Sequence, residues 1–190
     1  MSFDTEGGAI NCRTQRLMLR TWQPEDVAAL QQINADPQVM RYFPSTLSEQ
    51  ETQALVERFM AHECEYGYGI YAVVRATDEQ CLGFVGLQQL RFTLPTFVPQ
   101  QLPVVEIGWR LGAAYWGQGY ATEAAEAILA QAESWGLTEI VAFTVVDNLR
   151  SRRVMEKLGM RHLLGQDFSH PLLPRPHALS HHVLYRWSGT

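Results

Sequence analysis

The chain is short of the features that mark secreted, membrane-spanning and nucleic-acid-binding proteins. Its three cysteines, Cys12, Cys64 and Cys81, are odd in number and widely spaced. That excludes a disulfide framework, offers no zinc-ligand spacing and points to a reducing compartment. Positive charge is in deficit: 15 Lys and Arg face 20 Asp and Glu, a formal net charge of −5 with a pI near 5.7. Non-specific binding to nucleic acid is therefore not expected. The longest strongly apolar run, residues 140–146, is far too short to span a bilayer. The opening Met-Ser-Phe-Asp-Thr-Glu-Gly-Gly lacks a basic region followed by an apolar core, so no signal peptide is expected. Internal repeats, charge runs and low-complexity segments are also missing. These shortages leave the expectation of a cytoplasmic, soluble protein with neither nucleic acid nor membrane as partner.

What is present is ordinary for a globular chain: 46% hydrophobic and 18% charged residues. At 190 residues a single domain can bury roughly 70% of its unfolded surface. Residues 1–12 are polar and glycine-bearing and read as a loose tail, and 13–190 as one domain. A first strand is expected over 16–22. Pro24, Glu25 and Asp26 open a helix with apolar Val27, Leu30 and Ile33, and Asp36-Pro37 restarts a short one that Pro44 ends. Ser48 and Glu51 form a capping box for a third helix, reaching about Glu65. Segments 69–75 and 81–87 read as a hairpin, and Pro95, Pro99 and Pro103 make 91–103 a loop. Strands are expected at 160–167 and 178–187. Between them Pro171, Pro174 and Pro176 remove donors and fix φ.

The informative stretch is 104–160. Residues 104–111 read as a strand, and Ala121, Ala124, Ala125, Ile128, Leu129, Ala132 and Trp135 as one apolar stripe on a helix of about 16 residues. Gly117 and Gly119 stand between them, and no Asp or Glu occurs from Gly112 through Thr122. A glycine turn feeding a helix start exposes unpaired N–H groups beside the positive end of the helix dipole, an anion cradle best suited to phosphate. The plain alternative is a tight connection and no more. The turn lacks the Walker ending and is not a dinucleotide fingerprint. Residues 139–146 are β-branched and aromatic, a buried strand parallel to the first through a right-handed crossover. Asn148 then caps a short helix that Gly159 stops.

Tyr115-Trp116-Gly117-Gln118-Gly119-Tyr120-Ala121-Thr122-Glu123-Ala124, followed by Asn148-x-x-Ser151 and Glu156-Lys157-Leu158-Gly159, resembles the GNAT superfamily of acetyl-CoA-dependent N-acyltransferases. Within it the pattern is similar to the branch of the RimJ/RimL ribosomal-protein N-terminal acetyltransferases, over residues 14 to 187. The resemblance implies an α/β (α+β) fold with a mixed, mostly antiparallel central sheet, flanked by helices and splayed at an acetyl-CoA cleft. It implies acetyl transfer from acetyl-CoA, as co-substrate and without a metal, to a primary amine by direct attack on the thioester. The acceptor is a peptide N-terminus or a small molecule, and the protein a monomer or homodimer. A non-catalytic acyl-CoA-binding module is the alternative.

By the same resemblance, Trp109, Arg110, Leu111, Gly117, Gln118, Gly119, Tyr120, Ala121, Thr122, Asn148 and Ser151 contact the cofactor. The backbone of 106–111 would pair with the pantetheine arm, and Gly108 suggests a bulge there. Trp109 either walls the channel or is core. Glu106 is the candidate general base, otherwise an edge-strand carboxylate in water, and Ser151 the candidate acid for the leaving thiolate. Met155 stands where many relatives place a tyrosine acid, and Trp116 where the family pattern has Gln or Arg. Arg150, Arg152, Arg153 and Lys157 are read either as phosphate ligands or as a solvated helix face. Five of the six histidines lie in the last 30 residues. None forms a ligand pair on a helix, so no metal is expected, and His170 is placed beside the acceptor. Cys81 has no base beside it to make it a nucleophile.

Overall fold

The computed structural model describes residues 10–174 and 176–189. Its frame is a nine-stranded sheet. β1 (Ile10–Arg13), β2 (Leu17–Arg20), β3 (Ile70–Arg75), β4 (Cys81–Gln89) and β5 (Val105–Leu111) follow one another as antiparallel neighbours. β6 (Glu139–Val145) runs parallel to β5, and β9 (His181–Ser188) lies antiparallel beside β6. Two short strands, β7 (Arg161–His162) and β8 (Phe168–Ser169), pair with β9.

Strand alternation sorts the helices onto two faces. Tyr71 and Val73 of β3 join a core with α4 (Tyr120–Leu129) and α5 (Leu149–Lys157), through Ala124, Ala125, Ile128 and Met155. Ile70, Ala72 and Val74 face the other way, onto α1 (Pro24–Ala35), α2 (Pro37–Met40) and α3 (Glu49–Tyr66), through Leu30, Ile33, Val39, Val56 and Phe59. Covered on both sides, β3 and β4 are near-continuous apolar runs. A third cluster, Leu94, Phe97, Val141, Phe168 and Leu184, lies beneath the 91–103 loop.

Local chemistry explains where the helices start. Asp26, buried in the first turn of α1, accepts the Gln23 N–H at 2.9 Å and a two-pronged ion pair from Arg20 at 2.6 and 3.0 Å. Ser48 Oγ accepts the Glu51 N–H, the Glu51 carboxylate accepts the Ser48 N–H, and α3 ends at Gly67 with φ 74°.

Four expectations are corrected. Residues 1–9 of the expected tail lie outside the described residues, but 10–12 belong to β1, held by β2. The 16-residue helix stops at Leu129 and resumes as a 3-10 turn over Ala132–Trp135. The Gln131 side chain donates there to Asn11 and to the Ala127 carbonyl, and the tighter winding still delivers Ala132 to the core. The strand expected over 160–167 shrinks to β7, because Gly165 at φ 80° and the Gln166 N–H to Leu163 carbonyl bond turn the chain back. The last strand starts at His181, not 178, after a turn closed by Ser180 N–H on the His177 carbonyl.

Candidate active site

The sheet parts at its middle. β5 and β6 are paired only at Val105–Ile140 and Glu106–Val141, so beyond Glu106 the β6-facing edge of β5 is free. A cleft of about 980 Å³ occupies the opening, walled by α4 and α5 on one side and by residues 38–44 on the other. Gly108 makes no bulge, contrary to expectation: the β4–β5 register runs unbroken from Gly83–Leu111 to Gln89–Val105. A Cβ at Gly108 would meet nothing within 4 Å, so this glycine leaves the cleft open instead of bending the strand.

Glu106 lies in the cleft lining at the point of parting. Gln88 donates to its carboxylate at 3.4 Å, too long to offset the loss of water, and burial pushes its pKa up to about 7. Its protonation therefore changes near neutral pH, as general-base work requires. Cys81 is buried on β4, and burial pushes its thiol up to about 12, which leaves it inert.

Elsewhere in the cleft lining, Gly117 (φ 76°) and Gly119 (φ 83°) hold left-handed conformations that favour glycine. Gly119 caps α4, and the N–H groups of residues 117–122 donate to no described acceptor. Carboxylates do not intrude: Glu123 is engaged by Thr14, by the Arg16 backbone N–H, and by the Arg16 guanidinium at 2.6 Å. The turn therefore has the free donors, the glycine backbone and the dipole that an anion cradle needs.

α5 forms the facing wall. Asn148 Oδ1 accepts the Ser151 N–H as helix cap, and its Nδ2 donates to Thr144 Oγ1 at 2.9 Å and Ser151 Oγ at 3.0 Å. The Ser151 hydroxyl, already an acceptor, keeps its own hydrogen without a described partner. The basic cluster divides: Arg150, Arg153 and Lys157 line the cleft, whereas Arg152 turns away to the Tyr185 hydroxyl and the Val146 carbonyl. Met155 is 2% exposed and packs in the main core. Trp109 packs against the same core and also lines the cleft, so its two readings are compatible. Leu111, Tyr120, Ala121 and Thr122 line it too; Gln118 does not, and its amide donates to the Ala114 carbonyl. Arg110 extends on the Glu106 face of β5, where Nη1 donates to Asn34 Oδ1 at 2.6 Å.

The resemblance sets the early helices beside the acceptor side of the cleft, but sequence reading assigned no residue of this second wall to the site. Arg41, Tyr42 and Phe43, after α2, all line the cleft. The Tyr42 hydroxyl donates to the Asp147 carbonyl at 3.0 Å, and the guanidiniums of Arg41 (5.8 Å) and Arg150 (4.5 Å) both lie over the Trp116 ring. His182 joins His170 in the lining, their rings 5.0 Å apart against Phe143. Burial depresses both imidazoles below their ordinary range. Only the fold brings these residues together, and no local pattern announces them.

A parted sheet, with free N–H donors at a helix start in one part of the cleft and a carboxylate raised to about 7 in another, has the parts that a group-transfer site uses. The chain belongs to the GNAT family of acetyltransferases: the family model for the acetyltransferase (GNAT) domain matches residues 16–161. It is 32% identical over 151 residues to the uncharacterized N-acetyltransferase YnaD of Bacillus subtilis (strain 168), a match covering 78% of this chain and 81% of YnaD. A solved GNAT-family acetyltransferase from Bacillus anthracis is 26% identical with a TM-score of 0.74, over 93% of this chain and 96% of that one. The fold is shared with RimL, a ribosomal L7/L12 alpha-N-protein acetyltransferase solved with coenzyme A, at 18% identity and a TM-score of 0.73, over 95% and 98% of the two chains. Among the described residues no helix is long and apolar enough to cross a membrane, and no group of three His, Cys, Asp or Glu could hold a metal ion.

Proposed function

We propose that this acetyltransferase moves an acetyl group from acetyl-CoA directly to a primary amine, with an N-terminal α-amine as the favoured acceptor, as in the RimJ/RimL branch. The observation that carries the reading is Glu106, with its pKa pushed to about 7, standing where β5 and β6 part. Acetyl-CoA supplies an activated acyl group on a thiol of ordinary pKa near 8.5, which departs readily as thiolate. The N–H groups of residues 117–122 hold the pyrophosphate, Arg150, Arg153 and Lys157 reach the outer phosphate, and the free edge of β5 pairs with the pantetheine amides. Glu106 takes the ammonium proton, directly or through one water, and Ser151 turns its free hydroxyl hydrogen to the sulfur.

The base also bears on the acceptor. An α-amine of pKa about 7.7–8.0 is close to a base near 7, whereas a lysine amine near 10.4 is about 3.5 kcal/mol harder to present neutral, at roughly 1.4 kcal/mol per unit. The test is free-thiol release from acetyl-CoA across peptides, polyamines and aminoglycosides, with the acetylated product weighed by mass spectrometry. Acetylated peptide N-termini support the full reading, and acetylated polyamines or aminoglycosides move the acceptor to small molecules. Tight acetyl-CoA binding without thiol release for any amine would make the protein a binding module.

A further inference from the structure

The protein carries a net charge of −5, yet its cleft is lined by five cations, Arg41, Arg110, Arg150, Arg153 and Lys157, against one carboxylate, Glu106. The three on α5 have the cofactor phosphates to answer, on the reading above. Arg110 does not share their wall. It follows Glu106 by four residues on the same face of β5, about 13 Å further along the strand. Its guanidinium lies 4.2 Å from the Phe43 ring centroid and 5.3 Å from that of Phe84. Nη1 is spent on Asn34 Oδ1, and Asn34 is held in that orientation because its Nδ2 donates to Thr52 Oγ1 at 3.1 Å.

Beyond Asn34 and the two rings the group has no partner among the described residues. Nε is buried and unbonded, Nη2 makes no hydrogen bond, and no carboxylate among the described residues lies within ion-pair distance. A guanidinium mostly withdrawn from water, with one neutral acceptor and no carboxylate to answer its charge, is costly to the fold. Nη2, unlike Nε, is not fully enclosed, and its free donors suit an anion such as a carboxylate.

We propose that Arg110 determines acceptor specificity, and that the acceptor is a primary amine that also carries a carboxylate, the amine at Glu106 and the carboxylate on the free Nη2 of Arg110. This rests on the acetyl-transfer reading and adds the acceptor's second group. The pair stands several bonds apart in the acceptor, as in a short peptide, because the two residues are four positions apart on one strand.

Matched acceptors test it: triglycine against triglycinamide and, as a probe of the carboxylate alone at pH 9, where more of the alkyl amine is neutral, 6-aminohexanoate against 6-aminohexanamide. Wild type should favour each carboxylate over its amide by tenfold or more in kcat/KM, chiefly through KM. In Arg110→Gln that preference should collapse to within twofold, and Arg110→Lys, which keeps the charge, should retain part of it. Equal use of acid and amide by wild type overturns the proposal, as does a loss in Arg110→Gln that is the same for both and tracks weaker acetyl-CoA binding. Calorimetry of the same compounds on CoA-loaded protein separates this from the acetyl-transfer reading. Tighter binding of the acids, lost in Arg110→Gln, upholds the anion site even if no amine is acetylated, and equal binding of acid and amide removes it. A preference for 6-aminohexyl phosphate over 6-aminohexanoate would likewise overturn the carboxylate assignment.

Discussion

At Glu106 the fold and the chemistry pull in opposite directions. In the unfolded chain a glutamate loses its proton near 4.3. In the cleft this one keeps it to about 7. The folded-state value is raised, so the stability it lends is fully present below about pH 4, falls through pH 5–7 and is gone above 7. Glu106→Gln removes the penalty of the buried charge. The full shift corresponds to about 3.5 kcal/mol, and access to cleft water reduces it to about 1–2 kcal/mol. The variant's melting midpoint should therefore exceed that of wild type by roughly 3–6 °C at pH 8 and match it at pH 4, read by calorimetric scanning. Turnover should move the other way: wild-type kcat/KM rises through pH 7, whereas the variant falls well below it at pH 7 and recovers towards pH 9 as the amine deprotonates unaided. Parallel profiles for the two forms would leave Glu106 without a catalytic role.

α4 does its work at its first turn, where Gly119 at φ 83° caps the helix and its neighbours' N–H groups stay free. Gly119→Glu places a carboxylate among those donors, and acetyl-CoA binding should become undetectable by calorimetry. Gly119→Ala carries the same left-handed strain, about 1–2 kcal/mol, without the charge. The difference between the two therefore isolates electrostatics from backbone shape. Affinity within threefold of wild type in the glutamate variant would place the anion site elsewhere. This turn was legible in the sequence because its two glycines and the absence of acids are local, and so were the Ser48–Glu51 capping box and the Asn148 cap. The break after Leu129 was not. No proline or glycine marks it; the Gln131 side chain reaches across to Asn11, 120 residues away. The missing bulge at Gly108 shows the same limit, since a glycine in a strand signals a close approach, a bend or an opening, and only the opposing strand decides which.

On the scale of the whole molecule, two strands joined by two residue pairs hold the halves of the sheet together beneath the cleft. The parallel pairing follows from the strand–glycine turn–helix–strand order, whereas the parting was implied by the family resemblance alone. The sequence did not foretell the roof. The 38–44 segment reaches over to the β6–α5 turn, where the Tyr42 hydroxyl meets the Asp147 carbonyl and the guanidiniums of Arg41 and Arg150 both lie over the Trp116 ring. If the Tyr42–Asp147 contact holds during turnover the cleft is spanned at one point, and a ligand that must pass beneath the span enters by its end. A linear peptide whose α-amine leads should be acetylated. A head-to-tail cyclic peptide of the same composition, with one lysine as its single amine, should be refused even at pH 9, where that amine is more often neutral. Acetylation of the ring at a rate comparable to the linear form, followed by mass spectrometry, would show that the bridge opens during turnover. If the ring is refused, the selection is one of topology before it is one of chemistry: a folded protein offers many amines on loops and a single free leading end, and a spanned cleft sorts the one from the others without reading any side chain.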